Sequence, residues 1–86
     1  MATGVGKTMT ISVHHFRRTA QREERRLTKV LVSAQEIIDK NPEPQVAIGI
    51  RDLLAANDIP QWARGVRVEK AGMLSYSVVA TEHKGH

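Results

Sequence analysis

The chain has 86 residues, no cysteine, one each of Phe, Trp and Tyr, and a formal net charge of +4. That length makes one domain with a small core, and the lack of cysteine excludes both a disulfide framework and any thiolate metal site. No apolar run approaches the roughly 20 residues that a bilayer span needs, and the first residues lack the apolar stretch of a secretory signal, so a cytoplasmic protein is expected.

Residues 1–8 contain two glycines and no periodicity, and read as a flexible lead-in. Within them Gly4-Val5-Gly6-Lys7-Thr8 imitates the end of a phosphate-binding loop, but that loop needs a glycine where Met1 stands and a strand before it. Residues 9–16 alternate, with Met9, Ile11 and Val13 on one side, and predict a half-buried strand. A long helix follows from Thr19, a candidate N-cap, to Lys40, with Glu23 and Glu24 early enough to meet the positive end of its dipole. Ala20, Leu27, Val30, Leu31, Ala34, Ile37 and Ile38 form its apolar stripe. Pro42 ends it, and Pro44 suits the first position of a second helix.

Val46, Ile50, Leu53 and Leu54 supply the buried face of that second helix, and Gly49 is placed to let the two helices approach closely. Asn57-Asp58 and then Pro60 stop it. Residues 65–70 and 73–82 predict a hairpin turning at Ala71-Gly72, with Leu74, Tyr76, Val78 and Ala80 as one inward row. Residues 83–86 form a polar tail. The whole is an α+β domain over residues 9–82: strand, helix, helix, strand, strand, with a two-helix hairpin packed on a small, mostly antiparallel three-stranded sheet. So small a core also makes a homodimer plausible on size alone.

The charge is unevenly placed. Residues 17–29 hold six basic side chains against Glu23 and Glu24, which accounts for the entire excess. At about 100° per residue, Arg18, Arg22, Arg25 and Lys29 fall within about 40° of one line and Arg26 about 80° from it, while Leu27 falls about 180° away. Burial of the apolar stripe therefore projects the cations together into solvent. Arginine offers a planar fork for pairs of phosphate or carboxylate oxygens, and forks one turn apart can follow a phosphate backbone. The expected function is a small regulatory or accessory protein whose Arg18, Arg22, Arg25, Arg26 and Lys29 engage a polyanion, foremost nucleic acid. The same face also fits an acidic protein surface, as in an inhibitor or adaptor of the kind phages direct at host factors. A solvated, solubilising face and an anionic membrane surface are the remaining readings. No aromatic residue lies within 17–29, so binding is expected to rest on phosphate contacts rather than base stacking.

Other signals are sparser. Val32 and Ile48 fall off the core faces of their helices and, with Trp62, are candidates for a protein interface. Trp62 also reads as a lid on the core. His14 and His15 point to opposite sides of a strand, and with no suitable spacing of ligands neither a metal nor a cofactor is expected. No nucleophile, base or carboxylate pair stands out, so no catalytic residue is assigned. The element order resembles that of small bacterial ribonuclease toxins of the RelE/ParE type, without a matching motif and with one strand fewer. That resemblance implies RNA cleavage by scattered side chains, for which Arg64, Arg67, Lys70, Tyr76 and His83 are the available pool.

Overall fold

Strand β1 (Thr8–His14), helix α1 (Arg17–Lys40), helix α2 (Pro44–Ala56) and strands β2 (Gly65–Gly72) and β3 (Ser75–Thr81) follow one another in the computed structural model, which describes residues 6–83. β3 lies between the other two strands and antiparallel to both, giving the order β1-β3-β2. The α+β arrangement expected from the sequence is the one observed. The molecule is a slab of 45 × 35 × 17 Å, thin because it has only two layers, helices over one sheet face.

Pairing assigns the faces. Met9, Val66 and Ala80 lie abreast, as do Ser12, Val68 and Val78, then His14, Lys70 and Tyr76, and these rows face the helices. Thr8, Thr10, Val13, Arg67, Glu69, Ser77, Val79 and Thr81 occupy the other face. α1 crosses the sheet, burying Ala20, Leu27 and Ala34 at seven-residue intervals, about two turns apart. Alanine at both ends lets the helix backbone settle close to the strands, and Leu27 with Val78 are the largest side chains without any exposure. Ile50 and Leu54 of α2, with Ile59, Ala63 and Val66, complete the core. Among the described residues no helix is long and apolar enough to cross a membrane.

α2 ends in a well-formed reverse turn. The Ile59 N–H donates to the Leu54 carbonyl (2.9 Å) and the Asp58 N–H to that of Ala55 (3.0 Å). Asp58 takes a left-handed φ of 59°, the position that glycine usually fills at a helix end. Ile59 and Leu54, both buried, provide the apolar contact that accompanies this motif.

The structure corrects several expectations. Residues 1–5 of the expected lead-in lie outside the described residues, and β1 already begins at Thr8. Lys7 is already tied to Glu82, donating from its N–H to the carboxylate and accepting the Glu82 N–H at its carbonyl, each at 2.9 Å. Gly4 and Val5 of the loop-like stretch, and residues 84–86 of the tail, lie outside the described residues. β1 starts one residue early and stops at His14. An irregularity between Thr10 and Ser12 inverts its alternation, so Val13 opposes Ser77 on the open face instead of joining Met9.

α1 begins at Arg17, not Thr19. Its N-cap is Phe16, whose side chain gives no cap, and the Ala20 N–H donates to the Phe16 carbonyl at 3.1 Å. Reaching Ala20 with a buried helical turn outweighs the local preference of Thr19 for a cap. The first turn therefore has no acid, and Glu23 and Glu24 fall in the second. Ile37 and Leu53 are exposed rather than buried. Gly49 faces away from α1, where a Cβ would meet nothing within 4 Å, so it does not serve close approach of the two helices. The hairpin turns at Met73-Leu74, with Gly72 opposite Ser75 and a register shift after Lys70. Leu74 is thus thrown out of the inward row into the turn.

Candidate nucleic-acid interface

The rotation of α1 is fixed by what it buries. With Ala20, Leu27 and Ala34 against the sheet, Arg18, Arg22, Arg25 and Lys29 are exposed on the outward line, as their spacing predicts. From Arg18 to Lys29 the helix rises about 16 Å, with one cation every 4.5–6 Å or so. Among the described residues none of these four takes part in an ion pair. Their forks and the ammonium are therefore not committed to any acid among the described residues.

Arg26 is different: unlike the other four residues expected to engage a polyanion, it is already paired within the domain. Its Nε donates to Glu23 Oε1 at 3.0 Å and its Nη2 to Oε2 at 2.8 Å, a two-pronged grip one turn apart. Its remaining Nη1 donates to Asn57 Oδ1 at 2.8 Å, and Asn57 in turn donates from Nδ2 to the Leu53 carbonyl at 2.9 Å. Arg26 thus clasps the middle of α1 to the end of α2. The hydrogen bonds from Arg26 hold the Glu23 carboxyl below its ordinary value of 4.5, against partial burial, which pushes the other way. The same bonds raise the Arg26 guanidinium further. This pairing also has an effect on the field: it neutralises one of the two local acids with a cation that lies off the outward line.

At the start of α1 three segments meet. The Arg17 guanidinium carbon lies 5.5 Å from the centre of the Tyr76 ring, and the Lys70 Nζ lies 4.9 Å from it. Both distances are those of cation–π stacking. His15 has left the strand, with its Nδ1 3.2 Å from the Leu74 carbonyl in the neighbouring hairpin turn. Beside it Phe16 is 71% exposed, Leu74 78% and Met73 90%. Three large apolar side chains, one aromatic, therefore stand in solvent in the two segments, residues 15–16 and the hairpin turn, that the His15 contact joins. Charge spacing along residues 17–29 does not reveal this group. Phe16 sits one residue before that window, and Tyr76, Leu74 and Lys70 arrive only through the hairpin and its cross-strand pairs.

The other candidates separate. Val32 lines a groove of about 440 Å³ with Leu31, Gln35, Glu36, Ala63 and Arg64, whereas Ile48 borders a different one beside Ile38, Arg51 and Gln61. Trp62 is half-buried against the core with the Lys7 ammonium 5.9 Å from its ring centre, the position of a lid on the core. The ribonuclease pool is not brought together. Lys70 and Tyr76 lie at one end of β3, Arg64 and His83 at the other, and Arg67 is on the open face, donating to Glu69 at 2.7 Å. Among the described residues no three His, Asp or Glu side chains group as a metal site requires. Comparison with protein-family models, with curated proteins and with solved structures finds no match.

Proposed function

We propose that this protein binds nucleic acid through the sugar-phosphate backbone, using the outward face of α1. One observation carries this reading. Arg18, Arg22, Arg25 and Lys29 stand in a row on solvent while the helix face opposite them is buried, and of the two acids in this segment, Glu23 and Glu24, the first is held by Arg26. A row of cations at turn spacing matches the repeat of charges along a polyanion better than it matches a single small anion. Arginine forks take up phosphate oxygens in pairs, and release of counterions supplies much of the free energy. Contacts of this kind carry no sequence information, so the protein belongs with accessory or regulatory binders rather than with readers of a defined site.

A charge-reversal gel shift tests the proposal. The Arg22→Glu/Arg25→Glu variant is expected to lose retardation of mixed DNA and RNA at low salt while remaining folded, because neither guanidinium makes an ion pair among the described residues. Equal retardation by variant and wild type contradicts it.

A second reading has its own observation. Val32 lies beside the line of Arg25 and Lys29, is 53% exposed, and opens into the groove toward Ala63 and Arg64. An apolar side chain among cations suits a partner protein with an acidic, partly apolar surface. Recovery of one protein partner in nuclease-treated lysate, with no shift of DNA or RNA, favours that reading over the first.

A further inference from the structure

The row of cations starts at an exposed apolar end, and the two together narrow the ligand. We infer that the ligand is single-stranded nucleic acid, with phosphates along α1 and an unpaired base stacked on Phe16 at the start of the helix. This rests on the phosphate-binding reading of α1 and adds to it a base-binding end. Phe16 is 71% exposed although it is one of only three aromatic residues in the chain. The residue serves the helix start through its backbone, whose carbonyl accepts the Ala20 N–H, and it is not part of the buried core.

Around Phe16 the chemistry suits a base. Leu74 and Met73 present apolar edges, and the His15 contact with the Leu74 carbonyl links their turn to the residue preceding Phe16. Arg17 and Lys70 already stack on Tyr76, a flat π-face in the same cluster. Every nucleobase has a π-face, so an exposed ring at the head of a row of cations binds bases without regard to sequence. A continuous duplex keeps its bases stacked on one another and leaves none for Phe16. A single strand, by contrast, lays its phosphates along a cationic groove or ridge and frees its bases for aromatic side chains.

The arrangement also discriminates against a lipid surface. A basic amphipathic helix binds a membrane by laying the apolar face opposite its cations into the lipid, and in α1 that face is buried against the sheet. Here Arg18, Arg22, Arg25 and Lys29 lead away from Phe16 for about 16 Å along the helix, which suits an elongated ligand.

Fluorescence anisotropy with labelled mixed-sequence DNA and RNA of about 12 nucleotides, single-stranded, duplex and abasic, tests this inference. The wild type is expected to prefer single strands. Phe16→Ala is expected to weaken single-strand binding about tenfold and to leave duplex binding unchanged. An abasic strand, which keeps the phosphates, is expected to lose the same factor on the wild type and nothing further on Phe16→Ala. Leu74→Ser, at a turn, is a second variant that spares the helix start and is expected to show a smaller loss on single strands. Equal, salt-sensitive binding of single strands and duplex that Phe16→Ala leaves intact overturns the inference while the phosphate-binding reading stands. Absence of binding to every nucleic acid overturns both. Binding to phosphatidylserine vesicles that Phe16→Ala and Leu74→Ser abolish, without binding to single strands, assigns the apolar end to lipid instead.

Discussion

α1 buries one line of residues against the sheet and sets its charges on the far side, whereas α2, apolar around much of its circumference, buries only Ile50 and Leu54 and leaves Ile48 half exposed. α1 is held along its length by three strands. α2 rests mainly on α1, and its far end is fixed by the Asp58 turn and the Arg26–Asn57 clasp. The contrast teaches where this small domain has latitude for function. Because Ala20, Leu27 and Ala34 already fix the position of α1, its outward residues are not needed for folding and can be cationic. α2 has no such surplus, and even its one well-made terminus uses a side chain from α1.

Breaking the anchor of each helix measures this difference. Leu27→Ala removes a side chain with no exposure from the centre of the sheet contact and is expected to cost about 3–4 kcal/mol in denaturant unfolding, near the limit such a domain tolerates. Leu54→Ala is expected to cost about 2 kcal/mol, with amide-exchange protection lost first in α2 while the sheet and α1 stay protected. Equal loss of protection in both helices contradicts the view that α2 is the separable part. Smaller, and opposite in sign, is Asp58→Gly. Relieving the left-handed backbone at φ 59° is expected to raise stability by about 0.5–1 kcal/mol and to reduce fraying of α2. A loss of stability there shows that the Asp58 side chain contributes more than its backbone strain removes.

Much of this is legible in the sequence where the signal is local. The order of elements, the apolar line through Leu27, the start of α2 at Pro44 and its stop after Asn57 all follow from spacing, proline and turn chemistry. The outward position of Arg18, Arg22, Arg25 and Lys29 follows as well, because it depends only on helical geometry. What depends on distant partners is not legible. Glu23 and Asn57 are 34 residues apart yet jointly claim Arg26, turning an apparent member of the cationic row into a clasp. The bulge after Thr10 answers to pairing with β3, and the turn at Met73-Leu74 answers to the register of Gly72 opposite Ser75. Phe16, Tyr76 and Lys70 gather at the start of α1 only once that register is set. The end of the interface to which we assign base stacking is hidden from sequence for that reason.

The central claim is that the free cations of α1 neutralise phosphates, and the salt dependence of binding reads their number. For about four contacts, log K against log salt is expected to fall with a slope near −3 on single strands, and Arg22→Ala/Arg25→Ala should reduce its magnitude by about 1.4. Binding that is flat with salt, or a slope that the double substitution leaves unchanged, contradicts the account.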